Sequence, residues 1–240
     1  MNTTTKKPMI GIVSGVGPLA GADVLSKVFA YAAEVYGAHE DSDYPEVILL
    51  NHGIAGVDNT AALNQKFKTE IIETAYQLET WGATIIGIAC NTAHAFLPDM
   101  TFKPDTQFIN LLDDVAKAAK KHGGSYGLLT SHGTKDQSLY HTYLGQYGVV
   151  FTETNDEQQI LLDLAIDKVM AHKLDQAALD LEKVITQMQT QGINHFIAGC
   201  TELPIALSGG THPDLHIIES NQVLAEGLVD AYYVALKAYK

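Results

Sequence analysis

Twice in this chain a cysteine closes a short apolar run, each time at the same distance from a glycine. Residues 84–94 read TIIGIACNTAH and residues 195–204 read HFIAGCTELP. Gly82 lies eight residues before Cys90 and Gly192 eight before Cys200, so the two settings stand 110 residues apart. A short apolar run closed by small polar residues reads as a fully buried strand of a parallel sheet. In open α/β sheets ligands bind in the crevice beyond the C-terminal ends of the strands, and each thiol falls at such an end. The rest of the chain repeats too. Residues 126–130 (YGLLT) are like residues 10–14 (IGIVS), and a turn of small residues follows each, 131–134 against 15–18. Strand, turn, helix, glycine and cysteine in one order predict a duplicated α/β unit.

In the first half, strands are predicted at 9–13, 45–50 and 84–89, with helices over 19–36 and 60–80. A segment halted at Pro98 follows Cys90. In the second half, strands are predicted at 126–130, 149–152 and before Cys200, with helices over 158–172 and 176–191. The tail carries a weak strand at Ile217 and Ile218 and a helix from Asn221. The expected architecture is α/β, two pseudo-symmetric α/β/α lobes with mostly parallel sheets and the active site in the cleft between them. The lobes are drawn as residues 1–98 with 207–240, carrying Cys90, and residues 99–206, carrying Cys200. The tail helix is expected to pack back on the first lobe.

Composition narrows the function classes. The net charge of −13 excludes a nucleic-acid partner, because phosphate binding needs clustered Lys and Arg. No apolar run approaches the roughly 20 residues that span a bilayer, so no membrane partner is expected. No apolar signal-peptide core follows Lys6 and Lys7. A cytoplasmic location follows from this reading, with thiols kept reduced and a disulfide the weaker alternative. Zinc needs about four ligands. Cys90 and His94 supply one C-x3-H pair with no second cluster, so no metal is expected.

Two thiols facing each other across a cleft suit a reaction that takes a proton from one face of a carbon and returns one to the other. The base must be a thiolate and the acid a thiol. Free cysteine titrates near 8.5, and a helix N-terminus lowers that value. Asn91, Thr92 and Thr201 follow the cysteines directly and carry groups that can hold a carboxylate. Ser131, Thr134 and the turn at Gly15 and Val16 can do so from the other wall. Each assignment has a structural rival. Most buried cysteines are inert small hydrophobes. The glycine turn either lines the crevice or is a βα turn that needs glycine. His94 is a base for Cys90 or an ordinary hydrogen-bonded histidine. Glu202 tunes Cys200 or caps a helix. His132 lines the cleft or is a loop residue.

The motifs IGIVSGVGPLA at 10–20, ACNTAH at 89–94, GLLTSHGT at 127–134 and GCTELP at 199–204 resemble the aspartate/glutamate racemase family, whose members need no pyridoxal phosphate. The resemblance implies a cofactor-free two-base amino-acid racemase or epimerase, an amino acid as partner and commonly a homodimer. It implies Cys90 and Cys200 as the paired acid and base, with Asn91, Thr92, Thr134 and Thr201 at positions that hold the substrate's α-carboxylate and α-amino end. Two positions depart from the pattern. Asn59 stands where the family has an Arg that grips a side-chain carboxylate. Met170 falls where it has a Lys, although Lys168 and Lys173 lie close by. Both departures point to a neutral substrate over Asp or Glu. Aspartate or glutamate racemase proper, a same-fold isomerase or decarboxylase of carboxylic acids, and a small-molecule binding protein on the racemase fold are the alternatives.

Overall fold

A computed structural model describes residues 6–54, 61–208 and 215–239. In chain order the first half carries β1 (Ile10–Ser14), α1 (Pro18–Tyr36), β2 (Val47–Asn51), α2 (Ala61–Thr80), β3 (Ile85–Ile88) and β4 (Gln107–Phe108). The second half opens with α3 (Leu111–His122), β5 (Ser125–Leu129), α4 (His132–Asp136), α5 (Leu139–Gln146) and β6 (Val150–Glu153). It continues with α6 (Asp156–Met170), α7 (Leu174–Gln189), β7 (His195–Ala198), α8 (Leu203–Leu207), β8 (His216–Glu219) and α9 (Ser220–Tyr239).

Among the described residues, eight strands form two parallel sheets, in the orders β2-β1-β3-β4 and β6-β5-β7-β8. Each strand of the first sheet therefore has a counterpart at the same place in the second, as the duplication predicts. Ile10 of β1 pairs with Val47 and Ile85, and Gly127 of β5 with Thr152 and Phe196. Sequence order reverses at the central strands of each sheet, where β1 lies beside β3 and β5 beside β7. Cys90 and Cys200 each follow the last residue of such a strand by two positions. The central strands are buried along nearly their whole length. That is why they read as continuous apolar runs instead of alternating ones.

By contact the chain divides into two units. The first holds residues 1–89, 96–110 and 224–240, the second residues 90–95 and 111–223. In the first unit α1 turns Ala20, Val24, Val28 and Ala32 inward at a four-residue spacing. Gly87 of β3 lets α9 approach, since a Cβ there would stand 2.8 Å from Leu224 Cδ1. In the second unit α7 buries Ala177, Leu181, Val184, Ile185 and Met188.

These units differ from the lobes drawn on the sequence at three places. Cys90 groups with the second unit, because the residues after it bond to that unit. Strand β4 joins the first sheet, although it lies past residue 98. Strand β8 joins the second sheet beside β7, although it lies past residue 206. Residues 224–240 group with the first unit, and residues 217–223 of the tail with the second. Among the described residues no helix is long and apolar enough to cross a membrane.

Candidate active site

The segment after β3 leaves the strand as a 3-10 helix, Thr92–Asp99. Its first side chains are tied down by the second unit. The Asn91 amide donates to Ser220 Oγ at 3.2 Å, and the Tyr140 hydroxyl donates to Asn91 Oδ1 at 2.7 Å. Thr92 Oγ1 lies 2.8 Å from Thr134 Oγ1, and Ser131 Oγ donates to Thr134 Oγ1 at 3.1 Å. Ser131 also caps α4, accepting from the Thr134 N–H. Thr92, Ser131 and Thr134, all expected at the site, are thus one hydrogen-bonded group with three hydroxyls converging, while Asn91 is held separately by Tyr140 and Ser220.

Cys200 heads a second group. Its thiol donates to Glu202 Oε2 at 3.0 Å, and the Thr201 hydroxyl donates to the same oxygen at 3.2 Å. The Asn221 amide holds the Thr201 carbonyl at 2.8 Å. Glu202 stands at the N-cap of α8 but makes no side-chain cap there. It serves the cysteine instead. Behind Cys200 the Tyr140 ring lies on Gly199, where a Cβ would come within 2.7 Å of Cε2. Only glycine admits the ring at that distance.

Both cysteines are free, 6 % and 7 % exposed. Burial pushes the Cys90 thiol up to about 12, against the amides of Ala93 and Thr92, which favour the thiolate. Burial also raises Cys200 well above its ordinary value, and the Glu202 carboxylate beside it adds to the rise. Burial raises Glu202 as well. The activation expected from helix starts is outweighed. Desolvation is the larger effect for both thiols, and α8 has only five residues.

His94 is not a base for Cys90. The Leu111 N–H donates to His94 Nε2 at 3.2 Å, so Nε2 is the bare nitrogen and Nδ1 carries the hydrogen. Nδ1 then donates to the Cys90 carbonyl at 2.9 Å. Burial lowers its pKa to about 4, so the ring stays neutral and ties the start of α3 to the strand end. His132 is exposed and faces Asp136 at 3.2 Å.

Gly15 lies in the first unit with φ +111°, and a Cβ there would stand 1.6 Å from the His52 carbonyl oxygen. Both the backbone angle and that contact require glycine at this turn. Val16 is half-buried beside it. Asn59 lies outside the described residues. Met170 does not join the buried group: it ends α6 and is 49 % exposed. Lys168 is paired with Asp180, which Lys183 also holds at 2.8 Å. Lys173 is exposed at the N-cap of α7.

Sequence reasoning missed Tyr140, Ser220 and Asn221. The last two had a visible signal. HIIESN at 216–221 is again an apolar run closed by polar residues at a strand end. Tyr140 had none, because only the fold brings α5 beneath Gly199. Among the described residues, no group of three or more His, Cys, Asp and Glu side chains is placed to hold a metal ion.

The sequence pattern of the Asp/Glu/hydantoin racemase family matches residues 13–228, nine-tenths of the chain. The chain belongs to that family. As an Asp/Glu/hydantoin racemase family member it is an isomerase. It is 25 % identical over 224 residues to the broad specificity amino-acid racemase RacX of Bacillus subtilis, covering 93 % of this chain and 98 % of the relative. Its fold is that of the Picrophilus torridus aspartate racemase, with TM-score 0.81 and 24 % identity over 97 % of this chain and 99 % of the other. A glutamate racemase isoform of Bacillus anthracis shares the fold at TM-score 0.71 and 16 % identity, over 98 % and 84 % of the two chains.

Proposed function

We propose that this family member racemises free amino acids with neutral side chains, and that Cys90 and Cys200 transfer the Cα proton. In one direction the Cys90 thiolate takes the proton from Cα, and the C–H electron pair delocalises into the substrate's carboxylate group. The Cys200 thiol then gives its proton to the opposite face of Cα, leaving Cys200 as the thiolate. Nothing is oxidised or reduced, and no cofactor enters the balance. The observation that carries this is the matched placement of the thiols, each two residues beyond the third strand of its repeat and each buried among hydroxyls and amides.

Raised thiol pKa values fit such a reaction once substrate is bound. An amino acid brings an α-ammonium, and a cation near a sulfur stabilises its thiolate. The hydroxyls of Thr92, Thr134 and Ser131 and the Asn91 amide are donors for the α-carboxylate. For a second, side-chain carboxylate the chain is poorly equipped. All 15 of its basic residues are lysines, so no arginine can grip it bidentately. Lys168 is already committed to Asp180. A buried carboxylate without cations keeps its full desolvation cost. The broad specificity named for the Bacillus subtilis relative is consistent with a site not built around one acidic side chain.

The proposal takes the two α/β repeats as the lobes of one enzyme. It includes a homodimer and a reducing, cytoplasmic setting, in which neither thiol is oxidised. Chiral chromatography of single-enantiomer amino acids incubated with the protein tests the substrate. Neutral amino acids should give a kcat/KM at least tenfold above Asp and Glu. A tenfold margin in favour of Asp or Glu would overturn the neutral assignment, and turnover of no amino acid would overturn the racemase.

A further inference from the structure

The two thiols have unequal surroundings. Cys90 is approached by the N–H groups of Ala93 and Thr92 and by the Thr92 hydroxyl, all of which favour a negative sulfur. Cys200 has one such amide, that of Glu202. Against it stands the Glu202 carboxylate, which accepts the Cys200 S–H at 3.0 Å. Glu202 is 6 % exposed, and its carboxylate accepts from the Cys200 thiol and the Thr201 hydroxyl, both neutral.

We infer that Glu202 holds the proton on Cys200, so that in the ligand-free protein Cys200 is the proton donor and Cys90 is where the thiolate forms. Glu202 is a positioning residue, because it acts through the Cys200 sulfur. The reason is electrostatic. A carboxylate in hydrogen-bond contact stabilises S–H as a donor and opposes S⁻ as a second anion in the same dry space. Burial raises both groups, and ionising either one makes ionising the other costlier. The pair therefore holds its proton more tightly than Cys90 holds its own. Cys90 also feels the Glu202 charge but has no bond to it, and two amides answer it. The consequence is directional. The resting protein is poised to accept a Cα proton at Cys90 and deliver one from Cys200, and it returns to that state by moving a proton between the thiols. The inference rests on the two-thiol reading of the site, but its test does not need turnover.

Only thiolates react with iodoacetamide, and each of the two cysteines lies in its own peptide. Mass spectrometry after brief labelling across a pH series resolves both titrations. In the unmodified protein Cys90 should label first, with its midpoint at the lower pH. In Glu202→Gln, which keeps the size and a hydrogen-bond acceptor without the charge, the Cys200 midpoint should fall by on the order of one to three pH units. The Cys90 midpoint should move less. Structural damage alone would speed both labels without moving their pH midpoints apart. Cys200 labelling before Cys90 in the unmodified protein overturns the inference, whether or not the variant folds. So does a Glu202→Gln profile whose Cys200 midpoint stays in place. Absence of racemisation together with the expected labelling would refute the proposed function and leave the role of Glu202 standing.

Discussion

Tyr140→Phe removes one oxygen from the middle of the site and little else. The ring stays on Gly199, so no cavity larger than a hydroxyl opens. What is lost is the bond to Asn91 Oδ1 at 2.7 Å, between side chains 1 % and 3 % exposed. An acceptor buried that deeply has no water to turn to, and leaving it unsatisfied costs about 1–3 kcal/mol. The unfolding free energy from urea melts should fall by that amount, seen as a lower midpoint at constant slope. A second effect is specific to function. Asn91 is held from both ends, by Tyr140 at the oxygen and Ser220 at the nitrogen, which fixes the direction of its amide. Without the tyrosine hydroxyl the amide can turn over and present oxygen where a carboxylate needs N–H. A hydrogen bond to a charged group is worth roughly 1.5–3 kcal/mol, so kcat/KM should fall about ten- to a hundredfold. Most of the loss should appear in KM, measured by initial racemisation rates. A Tyr140→Phe protein with parental stability and parental KM would refute the claim that Tyr140 orients Asn91.

Two further outcomes follow from the same geometry. Gly199→Ala places a Cβ 2.7 Å from Tyr140 Cε2 and 3.0 Å from Thr130 Cγ2. It should lower stability by about 1–3 kcal/mol, read by thermal unfolding, and a neutral result would show that the ring has room to retreat. His94 has its pKa lowered from 6.5 to about 4. Between those values the unfolded chain binds a proton that the folded one refuses, so stability falls with falling pH, by roughly 3 kcal/mol over the window. In His94→Gln the slope of unfolding free energy against pH between 6.5 and 4 should be smaller by nearly one proton. An unchanged slope would place His94 in a protonated state.

The fold was legible where burial leaves a mark on composition. β3, and β7 after His195, are apolar because they are buried, and the glycines at 82 and 192 take positive φ in both repeats. Other elements were readable but left unassigned. Helix α3 buries Leu111, Leu112, Val115, Ala116 and Ala119 at helical spacing, with Asp113 and Asp114 in its first turn and Lys120 and Lys121 in its last. Strand β4 has two residues, and α4 and α8 have five each, too short for any period to show. At the site, the cysteines and their polar followers were visible because strand ends were. The Tyr140 contact and the raised thiols were not, because both are made by burial among residues far apart in the chain. Helix-start logic predicted lowered thiols, since it counts the amides and cannot count the missing water.

The central claim is that one thiol removes the Cα proton and the other returns it. It is tested most directly in heavy water, with Cys90→Ala and Cys200→Ala beside the unmodified protein. Starting from one enantiomer of a neutral substrate, the unmodified protein should form the opposite enantiomer carrying deuterium at Cα. Either replacement should abolish that product, because a lone thiol cannot serve both faces. Formation of the opposite enantiomer at near-parental rate by either variant would contradict the account.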